Sequence, residues 1–272
     1  MFNRVGVFYN QLKEQVAPLA KEVVSLLHTQ HVQAAVLTTL DNLENTDLVI
    51  SMGGDGTMLR CARACAPKNI PVFGINCGTL GFLASAEKAQ IPQALHMLLK
   101  GDCTTRSLLM LSVTVHQKGR VHHFTALNDC VLRAAHMRAF FVQATYNQTA
   151  IPSYFGDGVI IATPTGSTAY SLAAGGPIVA PSLEVFVLTP VCPHSLHQRP
   201  LVLNAQGTLV LKPSFKNPED SALISFDGQI HLPLSSGDEL EIVRAPFQAT
   251  LLTSPQRGFF SVLHKKFNWG EE

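Results

Sequence analysis

Residues 53–57 read Gly-Gly-Asp-Gly-Thr and follow 47–52, an apolar run with the length and composition of a buried parallel strand. Bare amides ahead of a helix form a concavity that holds phosphate oxygens, and glycine lets backbone approach a ligand closely or take positive φ. Phosphate repels a carboxylate in such a loop unless the carboxylate has a task of its own. Asp55 can contact a sugar hydroxyl, hold a cation or take a proton from a nucleophile; the bland alternative is that it caps a helix starting near Thr57. A second segment gathers hydroxyls, with a strand at 159–163 leading into Thr163-Pro164-Thr165-Gly166-Ser167-Thr168 and then Ala169-Tyr170-Ser171. Hydroxyls and bare amides at a helix start suit an adenine edge, a ribose or a phosphate, and Tyr170 can lay its ring on a flat ligand. A Ser/Thr-rich capping turn with Tyr170 in the core is the alternative. Asn128-Asp129 puts two polar groups into an apolar run that reads as a buried strand. An unpaired carboxylate there costs several kcal/mol, so Asp129 must meet a ligand, a cation or backbone.

The elements that position these residues follow from periodicity. Up to about residue 103, strand-like runs (4–9, 33–38, 47–52, 71–75) alternate with helix-like ones (12–29, 58–66, 92–100). That alternation predicts a parallel sheet wrapped by helices, with ligands at the carboxyl ends of its strands. Both the 53–57 loop and a second glycine-rich loop, 74–82, begin at such ends and outline a cleft. From about residue 104 the pattern changes to short alternating runs (107–116, 122–132, 140–146, 159–163, 183–188, 208–212, 222–226, 239–243, 248–253) separated by turn dipeptides such as Asp227-Gly228. The expected fold is therefore α/β plus all-β. A parallel-sheet α/β domain over 1–103, completed by about 255–272, is followed by a mainly antiparallel β-sandwich domain over 104–254.

Composition narrows the classes. With 272 residues, 46% hydrophobic and 14% charged, the chain can bury a large core, and a net charge of +1 without a basic block argues against nucleic acid or an anionic membrane as the main partner. No apolar stretch reaches the roughly 18 residues of a spanning helix, and no signal peptide is evident, which predicts a soluble protein. Six cysteines without a Cys-x-x-Cys pair predict buried free thiols and a reduced, cytoplasmic setting. His122, His123 and His136 show no metal-ligand spacing.

Taken together, the Gly-Gly-Asp-Gly loop at 53–56, the 74–83 segment, Asn128-Asp129, Asp157-Gly158 leading into 163–171, Pro193-His194-Ser195-Leu196 with Arg199-Pro200, and the closing segment from Leu263 to Trp269 resemble the NAD kinase family over nearly the whole chain. The resemblance implies transfer of the γ-phosphoryl of ATP to the adenosine 2′-hydroxyl of NAD, with a divalent cation, Mg²⁺ expected, and assembly as a homodimer or homotetramer. It implies Asp55 as the acceptor-side catalytic carboxylate, with Gly56 and Arg60 beside it. Asn128, Asp129, Asp157, Thr168, Ala169, Tyr170, Ser171, Leu172 and Ala173, with Arg138 and Gln229, are then expected at the NAD site. Where the family usually has Asn-Glu this chain has Asn128-Asp129, an acid one methylene shorter. The pentapeptide alone is shared with lipid and sugar-phosphate kinases, so a kinase of that loop class is the first alternative. A dinucleotide-binding sensor without transfer activity is the second.

Overall fold

The computed structural model describes residues 2–78, 81–136 and 138–268. Thr79 and Leu80 of the second glycine-rich loop and Trp269 of the closing segment lie outside the described residues. The chain forms two compact units, Met1–Leu108 with Phe247–Glu272, and Leu109–Pro246.

In the first unit, β1 (Arg4–Tyr9), α1 (Ala17–Thr29), β2 (Gln33–Leu37), β3 (Leu48–Gly53), α2 (Asp55–Cys65), β4 (Val72–Asn76), the short β5 (Ala86–Glu87), α3 (Ile91–Lys100) and β6 (Thr104–Leu108) follow one another. Strands β2, β1, β3 and β4 pair in parallel in that spatial order. Every residue of β3 and β4 is buried, which is why these runs carry no polar alternation. Apolar side chains of α1 (Val16 just ahead of it, Ala20, Val23, Leu27) and α3 (Ile91, Leu95, Leu98) share one core with Leu48, Ile50 and Met52 of β3. Helix α2 packs against β3 and β4 outside that core. It begins at Asp55 rather than near residue 58, because its apolar period starts only at Met58 while its first turn is polar and held by a carboxylate at the positive end of the helix.

The second unit is two packed antiparallel sheets. Its strands are β7 (Leu111–Gln117), β8 (Arg120–Ala126), β9 (Asp129–Ala134), β10 (Phe140–Tyr146), β11 (Thr149–Gly156), β12 (Gly158–Ala162), then a short helix α4 (Tyr170–Ala173), β13 (Val185–Val191), β14 (Leu201–Asn204), β15 (Leu209–Ser214), β16 (Ala222–Phe226), β17 (Ile230–Leu234) and β18 (Glu239–Arg244). One sheet runs β11-β10-β15-β18-β7-β8 and the other β14-β13-β12-β9-β16-β17. Leu111, Val113, Phe140, Val142, Leu211 and Ile242 of the first meet Leu132, Ile161, Phe186, Leu188, Ile224 and Phe226 of the second in one core. The expected parallel-sheet and β-sandwich architecture is present.

Three further expectations are corrected. The β-rich unit begins at Leu109, not at 104, and ends at Pro246, not at 254. Strand β19 (Ala249–Thr253) returns to the first sheet, parallel to β4 and antiparallel to β6, and helix α5 (Phe259–Phe267) follows it. Alternation marks a strand but not the sheet it joins. The expected single strands at 107–116 and 122–132 are each broken, the first at the buried Leu109 and Met110, the second at Leu127-Asn128. All six cysteines are free, but only Cys61, Cys65 and Cys130 are buried; Cys77 and Cys103 are half-buried, and Cys192 is exposed, in a turn after β13. No helix of the described residues is long and apolar enough to cross a membrane.

Because β19 lies between β4 and β6, a chain ending at Pro246 is expected to lose the cooperative melting of the first unit. One ending at Ser254 keeps the strand and should retain it, which scanning calorimetry of the two truncations checks.

Candidate active site

At the carboxyl end of β3, Gly53 and Gly54 lead straight into α2, with Gly54 as its extended N-cap and Asp55 as its first residue. Asp55 does not cap the helix. Its carboxylate instead accepts hydrogen bonds from two successive backbone amides of the second glycine-rich loop, Phe82 N–H to Oδ2 at 3.0 Å and Leu83 N–H to Oδ1 at 3.2 Å. Charge-assisted bonds of this kind contribute about 1.5–3 kcal/mol each. Gly81 allows the approach, since a Cβ there would overlap the Asp55 carboxylate. The two loops are also tied through Cys77 N–H to the Gly53 carbonyl at 3.1 Å, so the expected pairing of glycine loops at one sheet edge is what the structure has. Gly56 and Arg60 are exposed on the first turns of α2, with the Arg60 guanidinium 5.3 Å from the centre of the Phe8 ring.

In the second unit, the break between β8 and β9 is built by one side chain. Asp227, at positive φ in the turn after β16, accepts hydrogen bonds from the amides of Leu127 at 3.1 Å, Asn128 at 2.7 Å and Asp129 at 3.2 Å. From the other side the Thr163 hydroxyl donates to the Leu127 carbonyl at 2.6 Å, and the Thr163 amide donates to the Asn128 carbonyl at 2.8 Å. The chain therefore kinks at Asn128, where the sequence pattern predicted an unbroken strand. Gly166 closes the kink, because a Cβ there would lie 2.7 Å from the Asn128 Cα and overlap its carbonyl.

The kink opens onto a cavity of about 750 Å³ lined in part by Asn128, Asp129, Ala169, Tyr170, Asp227 and His231. Asp129 is only 5% exposed. Burial, and then the neighbouring Asp227 carboxylate, push its carboxyl up to about 7. Asp129 is expected to meet a ligand, a cation or backbone; the backbone donors at this kink go to the Asp227 carboxylate, and Asp129 lines the cavity. Tyr170 is 37% exposed, so its ring is not in the core.

The remaining predicted residues are less centred. Thr168 is half-buried with its hydroxyl on the Thr165 carbonyl at 3.2 Å, and Ser171 is turned inward onto Thr189 at 2.9 Å. Leu172 is half-buried and Ala173 exposed in α4. Asp157, Arg138 and Gln229 lie outside the lining of the cavity. Asp157, between β11 and β12 in the chain, donates its amide to the Val191 carbonyl of β13 and accepts at its own carbonyl from the Ala134 amide of β9, both 3.0 Å, and Arg138 is 3.7 Å from the Asp220 carboxylate. Gln229 is exposed in the turn after β16. Asp227, Arg133 and His231 were not anticipated. Asp227-Gly228 reads as a plain turn in sequence, and only its burial next to Leu127 reveals the anchor.

The N-terminal domain model of ATP-NAD kinases matches residues 38–103, and the C-terminal domain model matches residues 128–254. An NAD kinase of Desulforamulus reducens is 37% identical over 280 residues, covering 97% of this chain and 96% of that protein. One from Tolumonas auensis is 40% identical over 233 residues, 84% of this chain and 79% of the relative. The chain belongs to the NAD kinase family. It is thus an enzyme of the kinase class, as the resemblance in sequence implied. Among solved structures, an NAD kinase from Archaeoglobus fulgidus in complex with ATP superposes with a TM-score of 0.80 at 25% identity over 98% of this chain and all of that one. Yeast NADH kinase complexed with NADH gives a TM-score of 0.88 at 23% identity over 99% of this chain and 88% of that one, a likeness of fold.

Two outcomes follow from the second unit of this family member. The folded state holds the Asp129 proton up to about pH 7, whereas an ordinary aspartate releases it near 3.8, so folded protein binds more protons than unfolded chain in that window. Stability of the ligand-free protein should therefore fall as pH rises from about 4 to about 7, and Asp129→Asn should flatten that slope, a difference of at most about 4 kcal/mol. Denaturant unfolding across the pH series measures it. Gly166→Ala should push the Asn128 backbone aside and lower stability by about 1–3 kcal/mol, as read by denaturant unfolding.

Proposed function

We propose that the enzyme transfers the γ-phosphoryl group of ATP to the adenosine 2′-hydroxyl of NAD, giving NADP and ADP. The observation that carries this reading is the Asp55 carboxylate, held by the Phe82 and Leu83 amides at the start of α2 on a glycine loop. Each of its oxygens spends one acceptor site on a loop amide and keeps another for a hydroxyl. Asp55 orients the 2′-hydroxyl and takes its proton as the oxygen–phosphorus bond forms and the bond from the γ-phosphorus to the departing ADP oxygen breaks. Phosphoryl transfer passes through a loose transition state, so alignment and charge neutralisation supply most of the catalysis. Gly56 and Arg60 flank the phosphates and ribose.

Asn128 and Asp129 hydrogen-bond the dinucleotide, and Tyr170 stacks on one of its rings. Ser171, whose hydroxyl is committed to Thr189, contributes through backbone, as do Thr168, Ala169, Leu172 and Ala173. Asp157, Arg138 and Gln229 act at the margin of the site. Among the described residues no group of three or more His, Cys, Asp or Glu is gathered to hold a metal. The divalent cation, Mg²⁺ expected, belongs to the same proposal and enters as part of the Mg–ATP substrate, the usual way Mg²⁺ is carried to phosphoryl-transfer sites. Assembly as a homodimer or homotetramer through the β-rich unit belongs to the same proposal, and exposed Phe141, Val202, Leu223 and Ile230 on its strands support it. The free thiols suit a cytoplasmic setting.

Purified protein with Mg–ATP and NAD is expected to form NADP, and none without the cation. NAD binding without product would favour a sensor, and phosphorylation of a lipid or sugar in its place would favour another kinase of this loop class. Asp55→Asn keeps the shape but turns an amide group toward one of the loop N–H donors, so a stability loss of about 1–3 kcal/mol is expected. Turnover should fall by on the order of a hundredfold or more while NAD still binds. A folded Asp55→Asn protein with near-normal turnover removes Asp55 from the chemistry.

A further inference from the structure

The loop that holds Asp55 is itself held, and by a residue no motif singles out. Arg257, four residues beyond the end of β19, donates from Nη2 to the Gly81 carbonyl at 3.3 Å. The next two amides in the chain, those of Phe82 and Leu83, are the donors to Asp55. There is no slack in this relay, because even one carbon added at Gly81 would overlap the carboxylate. Arg257 sits there at a cost. Its Nε is buried with no hydrogen-bond partner among the described residues, an arrangement that hydrogen bonding alone does not favour. Burial pushes its proton affinity down, and the carboxylates of Glu87 and Asp55 oppose that.

The same loop is gripped a second time by α5, whose Val262 and Leu263 are buried. Lys266 Nζ lies 4.5 Å from the centre of the Phe82 ring, the Phe267 ring centre is 6.0 Å from that of Phe82, and Lys265 is 3.5 Å from Glu87. The last pair is exposed and contributes little, whereas the two contacts on Phe82 act on the residue whose amide reaches Asp55.

We propose that Arg257 is a positioning residue for phosphoryl transfer, fixing the Gly81 carbonyl so that the Phe82 and Leu83 amides keep the Asp55 carboxylate aligned with the acceptor hydroxyl. This rests on the role proposed above for Asp55. Misalignment of a reacting group by about 1 Å costs on the order of a hundredfold in rate, so loss of the clamp appears in kcat and leaves substrate binding nearly intact.

The test is steady-state kinetics of the full chain with Mg–ATP and NAD. Arg257→Ala is expected to lower kcat by roughly tenfold or more with the KM for NAD changed by less than about threefold. Arg257→Lys, which can still reach one carbonyl, should recover part of the loss, and it carries the test if the alanine variant does not fold. In an Asp55→Asn background Arg257→Ala should cause no further loss, because the carboxylate it aligns is gone. A wild-type kcat in Arg257→Ala overturns the proposal, as does a full additional loss in the Asp55→Asn background. If Asp55→Asn itself turns over normally, the catalytic role of Asp55 fails and this role with it. If Asp55→Asn is impaired while Arg257→Ala and Arg257→Lys are both normal, only the positioning role fails.

Discussion

A carboxylate that satisfies consecutive backbone amides is the interaction on which the second unit turns. Three N–H groups, those of Leu127, Asn128 and Asp129, leave the regular ladder where β8 ends and β9 begins, and buried amides without acceptors are costly. Asp227 takes all three. Because it arrives from the turn after β16, it couples the kink to a hairpin a hundred residues away in sequence. Without the kink, Asn128 and Asp129 would continue a two-sided buried strand, and the cavity beside Tyr170 would have no polar edge. The arrangement has a side effect, since burial, and then the Asp227 carboxylate beside it, drive the Asp129 carboxyl toward its neutral form.

The first unit uses the same device with a different exposure. Asp55 also accepts from successive amides, but it is half-buried at a helix start and receives two donors, not three. A buried carboxylate that takes three amides, such as Asp227, is an anchor. A partly saturated and accessible one combines a fixed position with acceptor capacity left over, which is what a group that orients a hydroxyl requires.

How much was legible in the sequence depends on burial. In the first unit the runs at 4–9, 33–38, 47–52 and 71–75 are strands to within a residue or two; β1, β3 and β4 are mostly buried and so plainly apolar, whereas β2, at the edge of the sheet with no buried residue, is marked only by its short apolar run from Ala34 to Leu37. In the second unit β11, β14 and β17 escaped notice, and each lies at the edge of its sheet. Their burial patterns are mostly exposed or intermediate, so no hydrophobic period marks them. Site residues divide in the same way. Asp55, Asn128 and Asp129 stand out because polar groups in glycine loops or apolar runs are locally anomalous. Asp227 and Arg257 do not, because an Asp-Gly turn and an arginine after a strand are ordinary, and their meaning lies in partners 98 to 100 and 176 residues away.

The polar inventory of the cavity bears on the rival substrates. A lipid acceptor calls for a continuous apolar channel, yet the walls here carry Asn128, Asp129, Arg133, Ser225, Asp227 and His231 beside the Tyr170 ring. Groups that accept and donate at short spacing next to an exposed aromatic face match a flat, hydroxyl-bearing ligand, and a volume of about 750 Å³ lies within the range of small-molecule sites. A sensor could use such a cavity equally well. What a sensor does not need is the tension in the first unit, where a glycine with no room for a methyl group, two amides and an arginine with a buried unpartnered nitrogen converge on one half-exposed carboxylate. Binding alone tolerates an ångström of play at that carboxylate, whereas in-line transfer to a hydroxyl does not. The rigid seat of Asp55 is therefore the physical argument for a reaction.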